Sequence, residues 1–362
     1  MILSTMNLVR GILKTSYRLR VAVVASLSST FFVGPSPPLF GKSLTEQRRA
    51  IFGSLPTESV CHTISRGPKI KPDNLDPNML KLKDKILEAL KELDDSAFYP
   101  LFHKRARVKK NIGEKIIIPL RAKYRRPWDI TVFRLWAFNA KDGEKTQLSC
   151  DPDVGVSTLY GYDLQFGLWV QLMGQNNLAK IYFHLVPAKD TWVIGGLHIQ
   201  QATFLGDDYE KWAQKAISLE EKNRLQAYLH YDITRKLLVG GDFIQFDVLP
   251  KVLARQEAIF TKDQFLAQGR QLVKGMDIVH VGTIMPDEGL GIVVRARVKK
   301  LLSMPDVQQK CKVLGRIFIK AKWIGSKTGG IKCDFILPQE PAHREGALGS
   351  QYLTYADLKR GT

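Results

Sequence analysis

Between Leu164 and Ile199 the side chains alternate at a period of two, a pattern that confines this stretch to strands. Leu164, Phe166, Leu168, Val170 and Leu172 interleave with Gln165, Gly167, Trp169, Gln171 and Met173, which predicts a half-buried strand. Gln175, Asn176 and Asn177 supply a turn, and alternating runs from Ala179 to Val186 and from Trp192 to Ile199 follow. Three antiparallel strands joined by short turns are expected. Parity puts Tyr182 and His184 on one face of their strand, and Trp192, Gly196, His198 and Gln200 on one face of theirs.

The flanks change to a helical period. Met79, Leu82, Ile86, Leu90 and Leu93 recur three and four residues apart, with Lys81, Lys85, Glu88 and Lys91 opposite, and Asp76 and Pro77 suit a helix start. A short helix is expected from Asp95 to Phe102. It ends in the basic run His103, Lys104, Arg105, Arg107, Lys109 and Lys110, a solvated loop in the plain reading and a polyanion contact in the functional one. After the strands, Tyr209, Trp212, Ala213, Ala216 and Ile217 form one helical face and Leu225, Leu229, Ile233, Leu237 and Leu238 another, stopped by Gly240 and Gly241. These read as a single helical hairpin, because a solenoid needs about three repeats.

Beyond it the pattern predicts a helix from Lys262 to Val273, strands at Ile278 to Ile284 and Gly291 to Val298, a helix beginning near Pro305, and a last strand from Ile331 to Leu337. The later helix buries Val307, Cys311, Leu314 and Phe318 and presents Lys310, Lys312, Arg316 and Lys320 outward, near Lys299 and Lys300. From Glu340 a loose tail is expected.

No Asp or Glu precedes Glu46, whereas Arg10, Lys14, Arg18 and Arg20 precede an apolar run from Val21 to Gly34. A basic segment followed by a run too short for a span of about 20 residues reads as a signal peptide. Export, to a periplasm, is therefore expected ahead of import into a mitochondrion or plastid, which an acid-free, Arg- and Ser-rich leader also suits. The formal net charge of +19 and pI near 9.7 suit anionic polymers or membrane surfaces as partners, with nucleic acid less favoured. Cys61, Cys150, Cys311 and Cys333 lack metal or redox spacing, so no metal is expected. Cys311 and Cys333 could pair in an oxidising compartment, but two small buried thiols are slightly favoured.

Helices followed by a sheet that closes on Thr191, Trp192, Val193, Ile194, Gly195, Gly196, Leu197, His198 and Ile199, after the charged turn of Lys189 and Asp190, resemble the nuclear transport factor 2-like, or cone-fold, superfamily over residues 79 to 203. That resemblance implies a curved antiparallel sheet around a pocket, with N-terminal helices closing one side, a scaffold used by isomerases, dehydratases and non-catalytic binding domains. Lys109 to Cys150 departs from the family pattern. With the hairpin added, the chain resembles exported bacterial proteins of this architecture, which implies no activity. The expected α+β organisation is a targeting segment over 1–36, a linker over 37–78, a cone-like domain over 79–203, a helical hairpin over 204–258, a small second α+β domain over 259–340 and a tail over 341–362.

The best catalytic candidates are Tyr162 and Asp163, with Tyr160 beside them, and His184 and His198 on neighbouring strands, since a carbon acid needs a base beside hydrogen-bond donors. The competing reading makes them ordinary polar positions of a sheet. Polyanion candidates are Lys104, Arg105, Arg107, Lys109, Lys110, Lys312, Arg316 and Lys320. Phosphate-loop, GxSxG and HExxH patterns are missing, and no cofactor is expected. The expectation is a non-catalytic exported binding or assembly protein, holding a small ligand or a protein partner. An organellar protein that binds RNA or anionic membrane, and a cone-fold isomerase or dehydratase, are the alternatives.

Overall fold

The structure, a computed structural model, describes residues 43–54, 56–67, 69–70, 75–106, 112–124, 128–174, 177–286, 289–324, 329–341 and 349–360. The leader, the central residues of the turn after Met173, and Arg107, Lys109 and Lys110 lie outside them. The protein is α+β, and it divides into two compact units between Gln264 and Phe265.

The first unit begins with α1 (Ser43–Phe52) and β1 (Val60–Arg66), both inside the stretch expected to be an irregular linker. In α2 (Pro77–Glu92) the apolar period of three and four buries Met79, Leu82, Ile86, Ala89 and Leu90. Proline at the first position forfeits no helical hydrogen bond, and the Asp76 carboxylate accepts the Asn78 N–H at 2.8 Å. The same carboxylate accepts from Gln47 Nε2 at 2.7 Å and Trp192 Nε1 at 2.6 Å. One capping residue thus also fixes the helix before it and the strand that carries Trp192. A short α3 (Asp95–Phe98) follows, and a π-helical turn at Gly113–Ile117 runs into α4 (Ile118–Lys123).

Next come β2 (Asp129–Asn139), β3 (Gln147–Asp151), β4 (Val154–Ser157), β5 (Leu164–Met173), β6 (Leu178–Ala188) and β7 (Thr191–Gln201). The hairpin is α5 (Tyr209–Ile217) and α6 (Arg224–Leu237), followed by β8 (Ile244–Phe246) and α7 (Leu249–Ile259). β1-β2-β5-β6-β7 form one antiparallel sheet, and β3-β4-β8 a smaller one. The three expected strands are present. β5 is not half-buried, however: from Leu164 to Val170 both of its faces are covered.

On one face Leu135, Leu164, Phe166, Leu168, Val170, Ile181, Phe183 and Leu185 pack with the apolar residues of α2 to α4 into a single core. The other face carries Trp136, Trp169, Tyr182 and His184 and meets Phe243 and Phe246. Trp192 corrects the parity expectation. Leu185 pairs with Ile194 but His184 with Gly196, so Gly195 is the extra residue of a bulge. Trp192 and Ile194 therefore join the helix-side core, while Gly196, His198 and Gln200 stand on the opposite face.

The glycine at 196 is required there, because a Cβ on it would stand 2.4 Å from Phe243 Cζ. A disulfide joins Cys61 on β1 to Cys150 on β3, tying the edge of the large sheet to the small one, and Thr63 Oγ1 donates to the Cys150 carbonyl at 2.8 Å.

The second unit takes up the chain within α8 (Lys262–Leu272), continues through β9 (Asp277–Ile284), β10 (Gly291–Arg297), α9 (Met304–Lys320), β11 (Gly330–Ile336) and β12 (Gly349–Leu353), and ends in α10 (Tyr355–Lys359). Its sheet runs β12-β11-β10-β9, and β10 and β11, joined through α9, are parallel. Ser303 caps α9, whose buried face is Val307, Cys311, Leu314, Gly315 and Phe318.

Two expectations are corrected here. Cys311 and Cys333 form a disulfide that clamps α9 to β11 instead of resting as free thiols. The tail is not loose: β12 supplies the pairing that the outer edge of β11 needs, and Thr354 with Asp357 makes a capping box on α10.

Cys311 and Cys333 are fully buried, whereas Cys61 and Cys150 are half-buried. A dithiol added to the folded protein should therefore cleave Cys61–Cys150 well before Cys311–Cys333, as timed alkylation and peptide mapping would show. Gly196→Ala should cost about 1–3 kcal/mol in urea unfolding through overpacking against Phe243.

Candidate functional site

The catalytic candidates converge on the second face of the large sheet, and the environment of His184 decides its role. Gln165, fully buried, donates its amide hydrogens to the carbonyls of Leu159 at 2.9 Å and Tyr162 at 2.6 Å. Its Oε1 accepts the Leu159 N–H at 2.8 Å. That orientation leaves Oε1 only an acceptor, so His184 Nε2, 2.5 Å away, must carry the proton it shares. Nδ1 is then the acceptor for the Tyr182 hydroxyl at 3.3 Å.

Phe138, Tyr182 and Phe243 pack their rings around the imidazole, which has no exposed surface. Burial pushes its pKa down to about 3 and holds the Tyr182 phenol well above its ordinary range. His184 is thus a neutral, doubly hydrogen-bonded pin closed off from solvent. A base needs both access and a free lone pair, and this imidazole has neither.

The remaining candidates are dispersed. Tyr162 is buried. Asp163 faces Arg48 at 3.7 Å, and its backbone carbonyl accepts the Ala140 N–H at 2.7 Å. Tyr160 is exposed. His198 Nε2 donates to the Val239 carbonyl at 3.1 Å, and burial takes its pKa down to about 4, against the opposing pull of that carbonyl and of Asp242. Next along β7, Gln200 Nε2 donates to the Leu237 carbonyl at 2.5 Å. His198 Nδ1 and Gln200 Oε1 are buried with no hydrogen-bond partner among the described residues, as are the indole nitrogens of Trp136 and Trp169.

At this end of the sheet lies a group that the sequence reading passed over. Lys180, opposite Gln200, holds its ammonium 4.3 Å from the centre of the Phe133 ring and 4.9 Å from that of Trp169. Burial first and Arg134 second lower its pKa to about 8, with Asp208 opposing. Arg134 is held by Asp151 at 3.0 Å, and Asp151 also takes Arg66 at 2.7 Å. Only the position of a lysine inside an aromatic alternating run signalled this cluster.

No family model, curated protein or solved structure matches this chain. Among the described residues no cluster of three or more His, Cys, Asp or Glu could hold a metal ion, and no helix is long and apolar enough to cross a membrane.

The polyanion candidates separate between the two units. Lys104 and Arg105 are exposed on a turn in the first, beside His103, whose pKa is lowered by burial and then by those two cations. Lys312, Arg316 and Lys320 sit in the second, at intervals of four on α9, opposite its buried face. Arg316 and Lys320 are exposed and Lys312 half-buried.

The histidines set a pH dependence. His184 and His198 refuse, when folded, a proton that the unfolded chain binds below pH 6.5. Stability is therefore fully present above 6.5 and is lost as pH falls toward their folded values. Between pH 6.5 and 5 the two together should cost about 3 kcal/mol, and His184→Gln, less stable at neutral pH, should flatten the slope by about one proton. Urea unfolding across that range measures both.

Proposed function

We propose that this is a non-catalytic binding or assembly protein that acts after export, with a nuclear transport factor 2-like sheet as its platform. The observation that carries this reading is the closure of His184: the best-placed base of the sheet is spent on holding Gln165 and Tyr182. What remains on that face suits binding better than turnover. Lys180 presents a cation against aromatic walls, His198 Nδ1 and Gln200 Oε1 are buried acceptors beside it that only a rearranged face could offer, and no nucleophile is paired with an accessible base among the described residues of this face. An antiparallel five-stranded sheet with helices packed over one face supports the proposed scaffold.

The compartment is part of the proposal. Four cysteines in two disulfides suit an oxidising setting such as a periplasm. Protein alkylated at the moment of lysis should carry no label on any of the four cysteines until a reductant is added; complete labelling without reductant would place it in a reducing compartment instead. Asp163→Asn, which removes the one candidate carboxylate, should leave ligand or partner affinity within about twofold, since the only ion pair of that carboxylate among the described residues is a long, half-buried one to Arg48 at 3.7 Å. A substrate consumed by the wild-type protein and spared by this variant would restore the enzyme reading.

The cationic stripe on α9 favours a second reading, attachment to a polyanion, because Lys312, Arg316 and Lys320 point away from the core at one-turn intervals.

A further inference from the structure

The two most exposed large hydrophobic side chains among the described residues are Leu301, at 63% exposure, and Met304, at 59%. They lie three residues apart at the turn that starts α9, directly after the exposed Lys299 and Lys300. Scattered surface leucines need no explanation, but these are clustered and flanked by cations. α9 itself carries Lys310, Lys312, Arg316 and Lys320 against one acid, Asp306.

Asp306 is spent locally. It accepts from the Ser303 hydroxyl at 2.6 Å, which is the first cause of its lowered pKa, and Lys300 and Lys310 both lie close enough to lower it further. Two lysines thus converge on the carboxylate beside the exposed apolar pair. Asp357 on α10 is similarly near Lys312, after its own capping bonds to Thr354.

We propose that the turn Lys299 to Met304, with the cationic face of α9, is a docking surface for an anionic lipid bilayer, into whose interface Leu301 and Met304 insert. The proposal rests on the polyanion reading of α9 and names its partner; it is independent of the platform role of the sheet. Aliphatic side chains beside ammonium groups match the layering of an interface, where acyl chains lie just beneath anionic headgroups. A single-stranded nucleic acid would instead call for aromatic rings on which bases stack, and none occurs from Val298 to Ile317. The lysines supply long-range attraction, and the apolar pair supplies the depth that attraction alone lacks.

The test uses the full chain with Leu301→Cys carrying an environment-sensitive fluorophore, so that the readout is local to the turn whatever else in the chain touches lipid. On equimolar phosphatidylglycerol and phosphatidylcholine vesicles the label should shift to the blue and be quenched by lipids brominated on the acyl chain. Phosphatidylcholine alone should do neither. Lys299→Glu with Lys300→Glu, in the labelled chain, should weaken the transition at least about tenfold, since each lysine near an anionic surface contributes about 1 kcal/mol. Both positions are exposed, and an unchanged circular dichroism spectrum and melting temperature would confirm that the variants fold.

A label that stays water-like while the chain sediments with the anionic vesicles would overturn the proposal, as would equal transfer to neutral vesicles. A blue shift produced by RNA and not by lipid would reassign the surface to nucleic acid.

Discussion

Burial of the central strands β5 to β7 on both faces is the constraint on which the rest of the first unit depends. A sheet with one wet face can leave its outward polar residues to water; this one cannot. Every polar side chain of β5 to β7 that points away from the helices must find partners inside the protein or carry the full cost of desolvation. Gln165 meets that demand by closing three bonds to the loop Leu159 to Tyr162, and His184 and Tyr182 extend the chain of bonds across two strands. The network holds the small sheet's approach and the register of the large one together. Gly167 and Gly196 are the steric counterpart. A Cβ on the first would stand 2.9 Å from the Tyr182 hydroxyl, and one on the second would collide with Phe243.

That double burial also explains what the sequence showed and what it hid. β5 to β7, the α5 and α6 hairpin, and α9 were legible because one face of each repeats at a fixed period. β2 was missed. From Leu135 to Phe138 it is apolar on both sides, and it carries an irregularity between Val132 and Arg134, so it never alternates cleanly, although its β-branched and aromatic content was a usable signal. β1 and β12 are edge strands of mixed polarity, whose identity comes from the neighbours they pair with. Trp192 was misplaced because a bulge at Gly195 inverts parity, and no periodicity can announce an inserted residue.

The site was legible in part. His184 and His198 stood out as catalytic candidates on neighbouring strands, and the structure buries both. What they do depends on Gln165, nineteen residues before His184, and on the Val239 carbonyl just past the hairpin, contacts that only the fold creates. Lys180 illustrates the same limit. Its lowered pKa comes from burial among Phe133 and Trp169, each on a different strand, and from Arg134 on β2.

In both units acids are set into cationic clusters: Asp151 between Arg66 and Arg134, Asp207 between Lys211 and Lys215, and Asp232 between Arg235 and Lys236 in the first, and Asp334 between Arg295 and Lys332 in the second. Each such carboxylate confines the field of its cations to a few ångströms. On α9 the single acid sits in the first turn, while Lys312, Arg316 and Lys320 continue for two further turns with none between them on the helix. A +19 chain that neutralised its cations evenly would have a diffuse field and no preferred face. Placing a run of cations with no acid between them along one helix, which starts at the most exposed apolar pair of the described residues, gives attraction a direction, and direction is what separates a docking surface from a merely basic protein.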